Sequence, residues 1–356
     1  MKEIIKDEFK DYKTKFSIYG NDPVVNGVIE GNNPGKIFMK SGIEGSYGVL
    51  WAMNEQVYFF AGNVPDNSPE RDDMKRFIVE KIFKDALKNE ENYFQTFFKQ
   101  REWEEYFLDE FKEYLPFTVD KKVLHLESNH KADDWRVKIP EGYSVGLIDE
   151  RNYEIIDDGD DRLFKDWWYD YASFTDKGLG TCVYEGDKAI SCCFSCFAGA
   201  GAYETGAVTL PEYMNRGFCT LAANLYVEES LKKGIKPIWT CSESNVASLK
   251  TALRVGFSIF ESKKYYMFAL DETERYFDAA WFNYFESGNP SKAVHYLQKG
   301  MEKNVPESKG FHIFCARLFA ANGDFEKAGR HLDFVRQKWN LNEEDKEIEE
   351  FKSMNL

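Results

Sequence analysis

The stretch from Ala207 to Phe257 constrains this chain more than any other. A short apolar run, Ala207, Val208, Thr209 and Leu210, is followed by a turn over residues 211–215, and Arg216, Gly217, Phe218, Cys219 and Thr220 then open a helix. A second apolar run, from Pro237 to Cys241, precedes Asn245, Ser248 and the closing Gly256 and Phe257. Strand, tight turn, helix, strand, helix is a βαβα unit. The first turn of such a unit aims backbone N–H groups, and the positive end of a helix dipole, at one spot. Gly217 lets a ligand approach the backbone closely, and Asn215 is among the few non-glycine residues that tolerate positive φ. Taken alone, residues 212–217 read equally well as an anion cradle needing no metal and as an ordinary strand-to-helix turn.

The rest of the chain sets bounds on that choice. At 356 residues it exceeds one typical core. Its net charge of −15 repels a polyphosphate backbone, which excludes general nucleic-acid binding and favours small amine-bearing partners. The N-terminus has no apolar leader, and no segment approaches roughly eighteen unbroken apolar residues, so the expectation is a cytoplasmic protein with no membrane partner. Seven cysteines without a regular framework predict reduced thiols.

Three parts are expected. Residues 1–128 read as an α+β domain, with strands at 36–39, 48–53 and 57–62 and helices over 72–88 and 93–114. Gly31 to Lys36 looks like a phosphate loop, but it is one residue short between its glycines, and Ile37 stands where a Mg²⁺-binding hydroxyl belongs. A plain turn before a strand is expected there. Residues 138–270 read as mixed α/β on a single sheet, with strands at 143–148, 180–184, 188–197, 202–210 and 259–268 and a helix over 155–171. Residues 272–356 form a helical tail in which Gly288 to Ala293 recurs as Gly323 to Ala328, and Leu297 as Leu332, a period of 35 residues. That period predicts two TPR-like helical hairpins, a surface for a protein partner or self-association.

At this point the chain resembles the GNAT superfamily of acetyl-CoA-dependent N-acetyltransferases. The family's loop is Gln/Arg-x-x-Gly-x-Gly/Ala, and its second helix carries Asn-x-x-Ala/Ser and ends in Gly-Phe, as Asn245, Ser248, Gly256 and Phe257 do here. Glu204, Thr209 and Trp239 are similar to residues of the branch that includes zwittermicin A resistance acetyltransferase. The resemblance implies a GNAT-like mixed sheet with flanking helices over 138–270, and an N-terminal part that is a degenerate relative of it. It also implies coenzyme A held by Val208 to Leu210, Asn215 to Thr220, Asn245 and Ser248, with no metal. Two departures stand out: Glu212 and Asn215 replace the loop's first residue and first glycine, and Ala252 replaces the tyrosine that protonates the departing thiolate in many members.

The chemistry asks for an amine made neutral by a base, a donor for the oxyanion, and little help for a thiolate whose acid has a pKa of roughly 8.5. Glu204 is the expected base, on the same strand face as Gly206 and Val208 by the period of two. A backbone N–H near Val208 to Leu210 is the expected oxyanion donor, if the sheet splays there as it does in the family. Ser248 is the second catalytic candidate, and Asn245 reads equally as a helix cap. Cys193 and Cys196 have C-x-x-C spacing but face opposite sides of a strand and are read as core, as are the scattered histidines. The expected function is acetyl transfer from acetyl-CoA to a primary amine of a small, antibiotic-like molecule. The alternative is a non-catalytic acyl-CoA or peptide binding module whose tail recruits a partner.

Overall fold

The computed structural model describes residues 1–40, 47–53, 55–127, 134–150, 167–341 and 351. Within them β1 (Lys2–Glu3) is a short edge strand, and β-branched and aromatic runs form β2 (Gly35–Lys40), β3 (Tyr47–Ala52), β4 (Val57–Gly62), β5 (Tyr93–Thr96), β6 (Phe117–Leu126) and β7 (Tyr143–Leu147). The remaining strands are β8 (Gly180–Glu185), β9 (Lys188–Gly199), β10 (Ala202–Thr209), β11 (Lys236–Ser242) and β12 (Phe257–Ala269). They hydrogen-bond in the order β1-β2-β3-β4-β5-β12-β6-β11-β10-β9-β8-β7. The N-terminal strands therefore share one mixed sheet with the central ones, and β6 and β12 lie in its middle. β3 is buried along its whole length, as expected of a strand covered on both faces.

The helices are α1 (Pro23–Ile29), α2 (Ser68–Phe77), α3 (Lys84–Lys88), α4 (Arg101–Glu110), α5 (Tyr171–Lys177), α6 (Phe218–Lys232), α7 (Val246–Val255), α8 (Glu272–Phe285), α9 (Pro290–Met301), α10 (Lys309–Ala321) and α11 (Phe325–Trp339). None of them is long and apolar enough to cross a membrane. The chain divides into two compact units: Met1–Glu91 with Gln95–Tyr106 and Thr118–Tyr266, and Asn92–Phe94 with Phe107–Phe117 and Met267–Leu356.

Three local expectations are corrected. The helix over 93–114 begins instead as β5, because Gln95 and Thr96 pair with Val57 and Tyr58 of β4, and only Arg101–Glu110 is α-helical, followed by a 3-10 turn at Lys112–Tyr114. The helix over 72–88 starts earlier, at Ser68, and is interrupted by a π-helical turn at Ile78–Phe83. Cys182 and Cys192 form a disulfide rather than two thiols, since β8 and β9 set them directly opposite each other. Residues 155–166 of the expected helix over 155–171 lie outside the described residues.

Gly31 to Lys36 is a turn into β2 with a structural task. Fully buried Asn33 donates to Trp167 O at 2.8 Å and Cys196 O at 3.0 Å and accepts from Ala198 N–H at 2.9 Å. Lys36 pairs with Asp85 at 3.3 Å instead of reaching for phosphate. In the second unit the 35-residue repeat recurs in three dimensions. Asn289 and Asp324 cap α9 and α11 after left-handed Gly288 and Gly323, and Ala293, Ala328, Leu297 and Leu332 are all fully buried. His312 and His331 meet there through their Nδ1 atoms at 2.8 Å, and burial pushes His331 down to about 4.

Candidate functional site

β10 and β11 run parallel and pair from Ala202 with Lys236 to Thr205 with Trp239. Beyond that point β10 stays with β9 as far as Thr209, while β11 stays with β6 as far as Ser242, so the two strands part. Leu210 N–H donates to Ile190 O at 3.0 Å, and alternate residues of an antiparallel strand face the same neighbour. The amides of Val208 and Leu210 therefore face β9, and those of Ala207 and Thr209 face the gap. Just before the gap the β9–β10 register shifts between Glu204 and Thr205, a bulge that re-aims the adjoining side chains.

Past the gap the chain enters α6 through the cradle. Asn215 and Gly217 both adopt left-handed conformations, with φ of 61° and 84°. Gly217 is the N-cap of α6 and no side chain caps the helix, which leaves its first N–H groups aimed outward. A Cβ on Gly217 would meet nothing within 4 Å, so the cradle is open to a ligand. An adjoining cavity of about 510 Å³ is lined by Lys138, Arg216 and Arg254, with Thr220, Asn224 and Gly256, and no carboxylate among the described residues lines it. In a chain of net charge −15, three cations around an uncapped helix start fit a polyanion such as the phosphates of coenzyme A. Arg216 is steadied by its bond to the Tyr143 hydroxyl at 3.0 Å and by its place over the Phe218 ring. Glu212, the departure from the family loop, is answered by Lys188 at 3.0 Å, and its own backbone N–H and that lysine hold its carboxyl below the usual range.

A second, inner cavity of about 290 Å³ lies where β10, β11, β6, β12 and the start of α1 converge. Glu204, Asn245 and Ser248 all line it, joined by Asp22, Glu55, Lys121, Lys263 and Tyr265. Burial pushes Glu204 up to about 8, the Thr240 hydroxyl bond opposes that rise, and the negative charges of Glu55 and Asp22 add to it. Asp22 caps α1, accepting from Val24 and Val25 N–H, and its other oxygen takes Lys263 Nζ at 3.0 Å. Asn245 caps α7 through Ser248 N–H at 3.0 Å, and Trp239 Nε1 donates to Ser248 Oγ at 2.9 Å. One short cap thus fixes two side chains on the cavity wall.

The other sequence candidates fall elsewhere. Phe218 is buried against Tyr143 at 4.7 Å and offers only its N–H to the cradle. Burial pushes the Cys219 thiol up to about 11 and Thr209 bonds it, so it is no reactive thiolate. Ala252 is fully buried in the core. Ala207, Lys138, Arg254, Glu55, Lys121, Lys263, Asp22 and Tyr265 escaped the sequence reading. Only Asp22 carried a local signal, as a cap before Pro23.

Residues 15–268 match the GNAT acetyltransferase family, a span that takes in β2 to β5 as well as the central strands. A stretch of 131 residues, 36% of this chain, is 29% identical to an uncharacterised N-acetyltransferase of Bacillus subtilis, YdfB. The match spans 50% of that relative's length. A GCN5-related N-acetyltransferase-like protein from Streptococcus suis shares the fold, with a TM-score of 0.55 and 18% identity over 74% of this chain and all of that one. With a family match over most of its length, a strand pair parted beside a left-handed cradle, and a half-buried glutamate at the gap, this chain belongs to the GNAT acetyltransferase family.

Proposed function

We propose that this protein transfers acetyl from acetyl-CoA to a primary amine of a small molecule in the cytoplasm. The observation that carries this reading is Glu204, pushed up to about 8 in the inner cavity at the parting of β10 and β11. A general base works best with a pKa near the operating pH, and this one is matched to an ammonium that must lose a proton before it can attack. Coenzyme A fits the outer cavity: Lys138, Arg216 and Arg254 with the α6 N–H groups would hold its phosphates. Thr209 and Ala207 would meet its pantetheine arm and acyl oxygen through their N–H groups, which face the gap. When bound, it supplies an acyl group activated as a thioester. Glu204 takes the amine's proton, Asn245 and Ser248 border the reacting region, and the Ser248 and Tyr265 hydroxyls are the protonated donors at hand in place of the missing tyrosine.

The resemblance noted in the sequence suggests an antibiotic-like amine as one acceptor. The TPR-like tail would then serve a protein partner or self-association. The rival reading, a binding module without turnover, is favoured by Ala252, which buries the place of the usual acid. The two part on one measurement: thiol release from acetyl-CoA over an amine panel, set beside coenzyme A binding by calorimetry. Turnover that Glu204→Gln abolishes supports the enzyme. Binding without turnover for any amine supports the module, and no binding at all defeats both.

A further inference from the structure

We propose that the acceptor is a small zwitterion, its carboxylate resting on Lys121 while its amine reaches Glu204; this builds on the acetyl-transfer reading above. Five charged side chains line the inner cavity, and two of them, Asp22 and Lys263, already answer each other at 3.0 Å. Lys121 has no such partner among the described residues. Its ammonium sits over the Tyr265 ring, 4.3 Å from the centroid, and Glu55 and Glu204 act on it through space rather than in contact. A cation withdrawn from water without an anion against it is costly, and an incoming carboxylate removes that cost.

Charge balance and size both select for a zwitterion. A plain diamine brings a like charge to Lys121, and an acid without an amine meets Glu204 and Glu55. The cavity of about 290 Å³ compares with roughly 30 Å³ per water, so it takes on the order of ten heavy atoms, the size of an amino acid. The spacing agrees. Thr240, which bonds Glu204, is paired with Val123 across β11 and β6, and Lys121 lies two residues farther along β6, about 7 Å at roughly 3.4 Å per residue. A short chain between amine and carboxylate spans that. The transfer stays balanced: the ammonium gives one proton to Glu204, the C–N bond forms as the C–S bond breaks, and the nitrogen's next proton ends on the released thiol.

The test uses matched pairs that differ only in the carboxylate: 4-aminobutyrate with propylamine, ornithine with putrescine, and lysine with cadaverine, each followed by thiol release from acetyl-CoA. The expected result is a kcat/KM about tenfold or more higher for the carboxylated member of at least one pair, the scale of one charge-assisted contact. Lys121→Met should bring that ratio toward one by raising KM, and Lys121→Arg should restore part of it; calorimetry with coenzyme A checks that each variant is folded. Equal or better turnover of the bare amines overturns the proposal. So does a preference that survives Lys121→Met, or coenzyme A binding with turnover of no pair member. A wild-type protein that does not bind coenzyme A sinks the cofactor reading itself, and this inference with it.

Discussion

The outer cavity takes its character from the backbone: one turn with Asn215 and Gly217 left-handed, an uncapped helix start, and three cations around it. The inner cavity takes its character from side chains that arrive from α1, the β3–β4 turn, β6, β10 and β12. The first is larger and of one sign, as suits a polyanion that docks and leaves. The second is smaller and mixed in sign, and it holds Glu204, pushed up to about 8, with Glu55 also raised by burial. Binding and proton transfer are thus built from different materials, and substitutions should separate them.

The sharpest break is at Glu204. Glu204→Gln should lower kcat by about 10² to 10⁴, the usual range for loss of a general base, while coenzyme A affinity stays within about twofold. The wild-type kcat/KM should rise with pH through about 8 and then level, because only the deprotonated carboxylate accepts a proton, and the variant should lose that step. Stability should run the other way. The folded protein keeps a proton that the unfolded chain releases from its ordinary value of 4.5, so stability falls as pH rises from there to about 8. Denaturant midpoints across that window should fall less steeply in Glu204→Gln.

That contrast also explains what the sequence could and could not reveal. The cradle is local: a turn needing positive φ at Asn215 and Gly217, followed by a helix, is written in consecutive residues, and the positions agree. The Glu204 position was legible too, because strand alternation and the following turn place it upstream of the gap. Lys121, Glu55 and Lys263 had no such signal. They meet only because β6 and β12 enter the middle of the sheet between N-terminal and central strands, a register set by distant pairings. The helix expected over 93–114 failed for the same reason: pairing with β4 overrode the helical spacing of Tyr93 to Thr96. The tail repeat is visible in the sequence and as recurring helix caps and buried alanines because both lie within one short motif.

The outer cavity should answer to charge and not to chemistry. Arg216→Ala and Arg254→Ala should each weaken coenzyme A binding by about fivefold to tenfold, roughly 1 kcal/mol apiece, and leave the pH profile where it was. Dephospho-coenzyme A, measured by the same calorimetry, separates their roles: the arginine that meets the 3′-phosphate should show little further loss against it. A kcat that falls as far as in Glu204→Gln would break the division between the two cavities.

The smallest effect expected is at Gly217, and it tests whether the cradle is a matter of backbone alone. A Cβ there meets nothing within 4 Å, so Gly217→Ala adds no clash. The cost is conformational: at φ of 84° an L-residue is disfavoured by about 1 kcal/mol, which for a domain of this size lowers Tm by about 2 °C. Asn215→Gly removes the same kind of penalty at φ of 61° but adds backbone entropy to the unfolded chain, so its net shift should be smaller than that of Gly217→Ala. If the N–H groups of α6 do hold the phosphates, Gly217→Ala should also lower coenzyme A affinity in proportion to its loss of Tm, because relaxing the strain turns those groups away. A normal affinity in a destabilised variant would move the phosphate grip from the backbone to Lys138, Arg216 and Arg254, and the contrast between a backbone-built and a side-chain-built cavity would no longer hold.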